Sequence, residues 1–335
     1  MDGRARRTRD GTLRADLTVT EGDAVDLVLE MGLDEPGAPL DPDRLWSTTT
    51  TGWAEGVPDL GAGSASRDAQ QAYAVLRGLT SGSGGMVAAA TTGLPERAKR
   101  HRSYDYRYVW IRDQCYAGLA AAAHGPLPAL HDAVRFTTAR LLEDGDRLQP
   151  AYTVDGGPVP DVHDVDGLPG YPGGAAVAGN RVNTQFQLDS VGELLQLLAA
   201  AAGLDCLDAD GWRAAQVAVD VVEKRWDSPD AGIWEPDDDW WTLSRLAAVA
   251  GLRRIAEVPP TPGDAARAET LADGILAETS RRCLSPQGWW QRSPTVPGVD
   301  ASLPLPPVRG ALPATEPRSP ATLAAVRDQP LGLSG

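Results

Sequence analysis

The chain has 335 residues and a formal net charge of −15 at pH 7, so it is long enough for two domains or one large one with a substantial core. Its acidity argues against nucleic acid and against an anionic membrane surface, since both need clustered Lys and Arg; no apolar run of about 20 residues could cross a bilayer. The basic start Met1-Asp-Gly-Arg-Ala-Arg-Arg leads into no hydrophobic stretch, and the three cysteines are far apart, so neither a secretion signal nor a disulfide framework is expected and the location reads as cytoplasmic.

In chain order, the first pattern is β. Leu13, Ala15, Leu17 and Val19 alternate with polar residues, and Val25, Leu27, Leu29 and Met31 do so again after Glu21-Gly-Asp23. This predicts a β-hairpin over 1–33, marginal by itself and in need of a larger sheet or a neighbour. Residues 34–64 are rich in Pro, Gly, Asp and Thr and read as a linker. From Ser66 the pattern turns helical, with candidate helices near 66–80, 110–124, 128–143, 185–202, 209–226, 239–256, 263–282 and 319–328. The clearest is 185–202, where Leu188, Val191, Leu195 and Leu198 recur at helical spacing and Gly203 supplies a stop. Long Gly- and Pro-rich loops at 150–181 and 284–318 separate the helices, as functional loops often do. The fold class is therefore mainly α, with a helical domain over 65–335.

The chemistry concentrates in three stretches. Ser103-Tyr-Asp-Tyr-Arg-Tyr-Val-Trp-Ile-Arg-Asp113 mixes rings, arginines and aspartates, as sugar sites do: rings stack on the C–H face of a pyranose and charged forks take its hydroxyls. Gln185-Phe-Gln-Leu-Asp-Ser-Val-Gly-Glu193 and Trp226-Asp-Ser-Pro-Asp-Ala-Gly-Ile-Trp-Glu235 follow in that order. Asp189 and Glu193 are i, i+4, a repulsive pair unless an arginine or a sugar intervenes. The four histidines show no ligand spacing. No metal ligand set or cofactor is expected, and no nucleophile elbow is present.

These three stretches, with a weaker match at Val299-Asp-Ala-Ser-Leu303, resemble the motifs of the bacterial glucoamylase and trehalase group, family 15 of the glycoside hydrolases. The resemblance covers roughly residues 85–330. It implies an incomplete (α/α)6 toroid, with the β-hairpin a remnant of an N-terminal β-sandwich. It implies an inverting, exo-acting hydrolase that releases glucose from an α-glucoside or oligosaccharide. Glu235 would be the general acid, with Trp234 an apolar wall that raises its pKa. Arg112 and Asp113 would grip the terminal sugar, and Arg245 would contact a substrate hydroxyl. Trp110 and Tyr106 read equally as pocket walls or core rings. Gln187, Asp189 and Glu193 read as support behind the site.

An inverting mechanism needs a second carboxylate about 6.5–9.5 Å from the acid to activate water. Neither Asp300 nor Glu316 matches the family's base, so the domain reads as cut short at its C-terminus. The rival reading is a carbohydrate-binding or interaction protein built on the truncated fold, without catalysis.

Overall fold

The structure, a computed structural model, describes residues 6–30, 37–38, 40–61, 63–91, 103–168, 170–171 and 175–328. Among them the helices in chain order are α1 (Pro42–Gly56), α2 (Ser66–Leu79), α3 (Ile111–Ala122), α4 (Pro128–Asp144), α5 (Leu188–Gly203), α6 (Ala209–Arg225), α7 (Thr242–Ala256), α8 (Pro262–Cys283), α9 (Leu305–Val308) and α10 (Arg318–Asp328). The strands are short antiparallel pairs: β1 (Arg6–Arg7) with β2 (Leu13–Arg14), β3 (Val109–Trp110) with β4 (Ala151–Tyr152), and β5 (His163–Asp164) with β6 (Val177–Ala178). The chain divides into two units, Met1–Pro58 and Asp59–Gly335.

In the second unit the helices form hairpins, α3 with α4, α5 with α6 and α7 with α8. The first member of each hairpin is buried on most sides, and the second buries a single stripe. α5 packs between α3 and α7, so the three buried helices form an inner arc and their partners flank it. The sequence explains this division. Leu188–Gly203 is apolar almost all round, which only a helix with protein on every side can satisfy. α6 and α8 carry charges on one face, and Arg267 of α8 pairs there with Asp220 and Glu223 of α6. Asp208 and Thr261 cap α6 and α8 through the amides of Gly211 and Asp264, at 2.8 and 3.2 Å.

The tightest crossing is α5 on α7. A Cβ at Gly192 would lie 2.4 Å from the Ala247 carbonyl oxygen, and one at Gly251 would lie 2.3 Å from that of Gly192. The two backbones touch directly, and any side chain would wedge them apart. This contact sets the spacing of the helix starts that carry the site.

The first unit departs from the sequence expectation in two ways. The chain turns at the predicted place, with the Asp23 amide on the Thr20 carbonyl at 3.0 Å. The two alternating runs do not pair, however. Strand pairing occurs earlier, with Arg7 opposite Leu13, and Leu17, Val19, Val25, Leu27 and Leu29 are exposed. Met31 lies outside the described residues. The expected linker also contains α1, started by the Asp41 side chain on the Arg44 amide and by Pro42 in the first turn. None of the α1 residues is buried.

Candidate active site

Three helix starts converge. β3 feeds straight into α3, so Arg112 and Asp113 fall in its first turn, fixed by the Ile111 amide on the Pro150 carbonyl at 2.9 Å. Gln187 caps α5, and Trp241 precedes α7. Each helix N-terminus presents unpaired N–H groups and the positive end of its dipole, which favours carboxylates there.

The loop carrying Glu235 is pinned to these starts. Asp230 and Asp239 bridge each other's backbone, with both N–H···O distances 3.0 Å, which closes residues 230–239 into a loop. The Ala231 amide donates to the Phe186 carbonyl at 2.9 Å, and the Leu188 amide donates to Asp230 Oδ2 at 2.9 Å. Gly232 has φ +63° and lies against the Trp241 indole, where a Cβ would come within 2.6 Å of Cδ1. The Trp241 ring also holds the far side of the loop through Nε1 on the Asp237 carbonyl at 3.2 Å. Asp239 accepts from Ser293 Oγ at 2.5 Å and from Thr295 Oγ1. Burial alone would raise the Asp239 pKa, but these bonds and the Trp240 amide together hold it below the usual value. Glu235 has φ 53°, an uncommon backbone conformation for a residue with a side chain, at the outer part of this braced loop.

Glu235 is half-buried, and its Oε1 accepts from Gln187 Nε2 at 2.8 Å. Gln187 Oε1 in turn accepts from Arg112 Nη1 at 2.7 Å. Arg112 is buried and forms its ion pair with Asp189 Oδ2, at 3.2 Å, rather than with its neighbour Asp113. Burial would lower the Arg112 pKa, but Asp189, Asp113 and Glu235 outweigh it and keep the guanidinium firmly charged. Asp113 is half-buried, and burial raises its pKa against the pull of Arg112. One turn along α5, Glu193 is gripped by Arg309, with Tyr116 and Gln196 at 3.4 and 3.2 Å. Burial raises the Glu193 pKa despite that arginine. Asp189 and Glu193 thus each have an arginine partner, one of the two ways of relieving their repulsion.

Arg245 departs from its expected role. It is fully buried, with Nη1 on Asp230 Oδ1 at 2.9 Å, Nε on the Trp226 carbonyl at 3.0 Å and Nη2 on the Ser228 carbonyl. Its guanidinium lies 4.5 Å from the Trp240 ring centroid. It braces the acid loop from beneath, with Nε, Nη1 and Nη2 all bonded within the protein. The reason is its place in the first turn of α7, directly under the loop, where an unpaired guanidinium could not be buried.

Trp110 is a core ring, packed with Tyr108, Ala151, Val159 and Val182; half-buried Tyr106 rests on that cluster. Trp234 is 58% exposed, so it does not enclose the Glu235 carboxyl. It lines an open, shallow cleft together with Ile233, Pro236, Trp241, Arg292 and Asp300. Arg292 and Asp300 face this cleft although the motifs gave them no role. Asp230 was also silent in the sequence, because its partners Leu188 and Arg245 become neighbours only on folding. Among the described residues no group of three or more His, Cys, Asp or Glu could hold a metal ion, and no helix is long and apolar enough to cross a membrane.

Comparison with known proteins identifies the family and the fold. Residues 69–332 match the sequence model of Glycosyl hydrolases family 15. A trehalase of Mycolicibacterium smegmatis is 29% identical over 331 residues, or 94% of this chain and 49% of that protein. Trehalase 1 of Sulfolobus acidocaldarius is 30% identical over 269 residues, or 76% of this chain and 46% of that protein. The chain spans about half the length of the curated relatives it matches. Among solved structures, a bacterial glucoamylase complexed with acarbose aligns with TM-score 0.58 at 16% identity, over 85% of this chain and 43% of that one. A wild-type glycosidase aligns with TM-score 0.57 at 21% identity, over 79% of this chain and 71% of that one. At these identities the likeness speaks to the fold, a helical toroid of which the hairpins described above form an arc.

Proposed function

The chain belongs to family 15 of the glycosyl hydrolases, and from that premise we propose that it hydrolyses α-linked glucosides from the non-reducing end, with inversion and release of glucose. Trehalose is the first substrate to test, since several of the curated relatives carry the name trehalase. The observation that carries this reading is the bridge Arg112–Gln187–Glu235, which fixes a half-buried carboxyl beside a buried guanidinium, its chain neighbours Trp234 and Pro236 lining a cleft.

On this reading Glu235 is the general acid and donates its proton to the glycosidic oxygen as the bond breaks. Departure leaves positive charge on the sugar ring. The carboxylates of Asp113 and Asp189 lie around Arg112, where they would favour that charge. Arg112 and Asp113 hold the terminal sugar, and the exposed face of Trp234 in the cleft takes the departing one. Water attacks from the opposite side.

A second reading has its own observation. Asp300 accepts from the Ser302 amide at 2.7 Å, and Glu316 accepts from Arg318 Nε at 2.8 Å, so both late carboxylates are engaged within the protein. Sugar binding without turnover is the alternative that this favours.

Glucose release from trehalose, maltose and isomaltose by the 335-residue chain, beside Glu235→Gln, separates the two. Loss of the acid should slow release by about 10²- to 10⁴-fold with the fold unchanged by circular dichroism. Release that survives the substitution would remove Glu235 from the role. Saturable sugar binding with no release in either protein would favour the binding reading.

A further inference from the structure

Gln187 lies between two groups that leave it one orientation. A guanidinium can only donate hydrogen bonds, so the atom facing Arg112 must be the amide oxygen. The amide nitrogen therefore points the other way, where its N–H groups reach Glu235 Oε1 at 2.8 Å and Gln185 Oε1 at 3.2 Å. The Glu235 oxygen that receives this N–H is the one without the proton, since in a carboxylic acid the carbonyl-type oxygen is the better acceptor. We propose that Gln187 is a positioning residue that assigns the two oxygens of Glu235, holding Oε1 as the acceptor and leaving Oε2 to carry and deliver the proton. This rests on the reading of Glu235 as the general acid.

The backbone makes the bridge hard to avoid. The residues on either side of Gln187 are both tied to the acid loop, Phe186 through its carbonyl to the Ala231 amide and Leu188 through its amide to Asp230. Gln187 and Glu235 therefore move together. On the other side Arg112 is anchored by Asp189 at 3.2 Å, and Ser190 Oγ reaches Gln187 Oε1 at 3.5 Å. The chain of contacts passes from a buried ion pair to the acid through one neutral amide.

A donor to the carboxylate favours its ionised form, so removing that donor raises the proton affinity of Glu235. The charged groups gathered around the Glu235 bridge are Arg112 and Asp113 on α3 and Asp189 on α5. All stay in place in the variants below.

The test is a titration of the full chain by NMR with ¹³C-carboxyl glutamate, the Glu235 signal being the one lost in Glu235→Gln. In the wild type the Gln187 side-chain amide should follow the Glu235 midpoint. In Gln187→Met, similar in length but without a donor, the proton affinity of Glu235 should rise about threefold to tenfold. The basic limb of any glucose release should move to higher pH with it. A midpoint unchanged in Gln187→Met, with an amide signal blind to Glu235, would overturn the proposal. Should Gln187→Met fail to fold, Gln187→Glu decides: two facing carboxyls should titrate as a coupled pair in two separated steps. Two ordinary independent titrations would again overturn it. None of these readouts needs turnover. Glucose release retained in Glu235→Gln sinks the acid assignment, whereas an unmoved midpoint sinks only the role of Gln187.

Discussion

Two buried arginine–carboxylate pairs flank the start of α5, and the protein completes only one of them. Arg245 spends its donors on Asp230 at 2.9 Å and on the Trp226 and Ser228 carbonyls, while the second oxygen of Asp230 takes the Leu188 amide at 2.9 Å. The Arg112–Asp189 pair is looser, at 3.2 Å, and Arg112 shares the same nitrogen with Gln187. Asp189 Oδ1 is buried with no partner among the described residues. An unsatisfied buried acceptor costs stability, and native proteins keep few of them. The closed pair belongs to the frame beneath the acid loop. On the proposed reading the open pair belongs to the chemistry, and its carboxylate keeps an acceptor without a partner among the described residues.

Substitutions at the two pairs should therefore give unlike results. The largest effect is expected at the closed pair. Arg245→Met leaves Asp230 buried without its partner and should cost about 3–5 kcal/mol in denaturant unfolding. A loss below about 1 kcal/mol would mean that the loop does not depend on this pair. The pH dependence tests the same place from the carboxylate side. Burial pushes Asp230 up to about 7, against the attraction of Arg245, which burial in turn pushes down. A native pKa above the unfolded value means that the folded state holds the proton more tightly. The stabilisation from that proton is complete below pH about 4 and is lost as pH rises to about 7. One such group gives a slope of at most about 1.4 kcal/mol per pH unit. Asp230→Asn should flatten stability against pH over that window. Asp113 and Glu193 are raised in the same sense and will keep part of the slope. An identical slope in the variant would refute the assignment.

How much of this was legible in the sequence follows from the range of each interaction. α5 was legible because Leu188, Val191, Leu195 and Leu198 share one face, a property of the segment alone. The resemblance of the motifs pointed to Glu235 as an acid and to Arg112 and Asp113 as a sugar grip, and the structure sets Arg112 beside Glu235 through Gln187. The fate of Arg245 was not legible, since its neighbours Trp226, Ser228 and Asp230 meet it only when the acid loop lies on α7. Nor was the bridge through Gln187, which spans residues 112, 187 and 235. α1 was hidden by composition: a run of threonines and two glycines reads as loop, although Asp41 and Pro42 had already marked a helix start. The hairpin forms in a different register from the one the alternation suggested, at Arg6–Arg7 and Leu13–Arg14. Its alternation is real, but alternation specifies a strand only where a sheet exists to receive it.

The smallest effect is expected at the open pair, and it bears most directly on the contrast. Asp189→Asn keeps an oxygen for Arg112 and removes only the charge, and Gln187 still holds the guanidinium at 2.7 Å. The new amide nitrogen would occupy the place of an oxygen that already lacks a partner, so little existing bonding is lost. Stability should fall by less than about 1.5 kcal/mol, the net worth of an ordinary intramolecular hydrogen bond. Sugar affinity or glucose release should fall by more than that change alone explains, because the charge would have stabilised the developing cation. Unfolding and sugar titration of the same protein sample give both numbers. If Asp189→Asn unfolds the chain as severely as Arg245→Met, the two pairs are equally structural and the distinction between frame and chemistry fails. If it changes neither quantity, Asp189 stands outside the site, and Arg112 is held there by Gln187 alone.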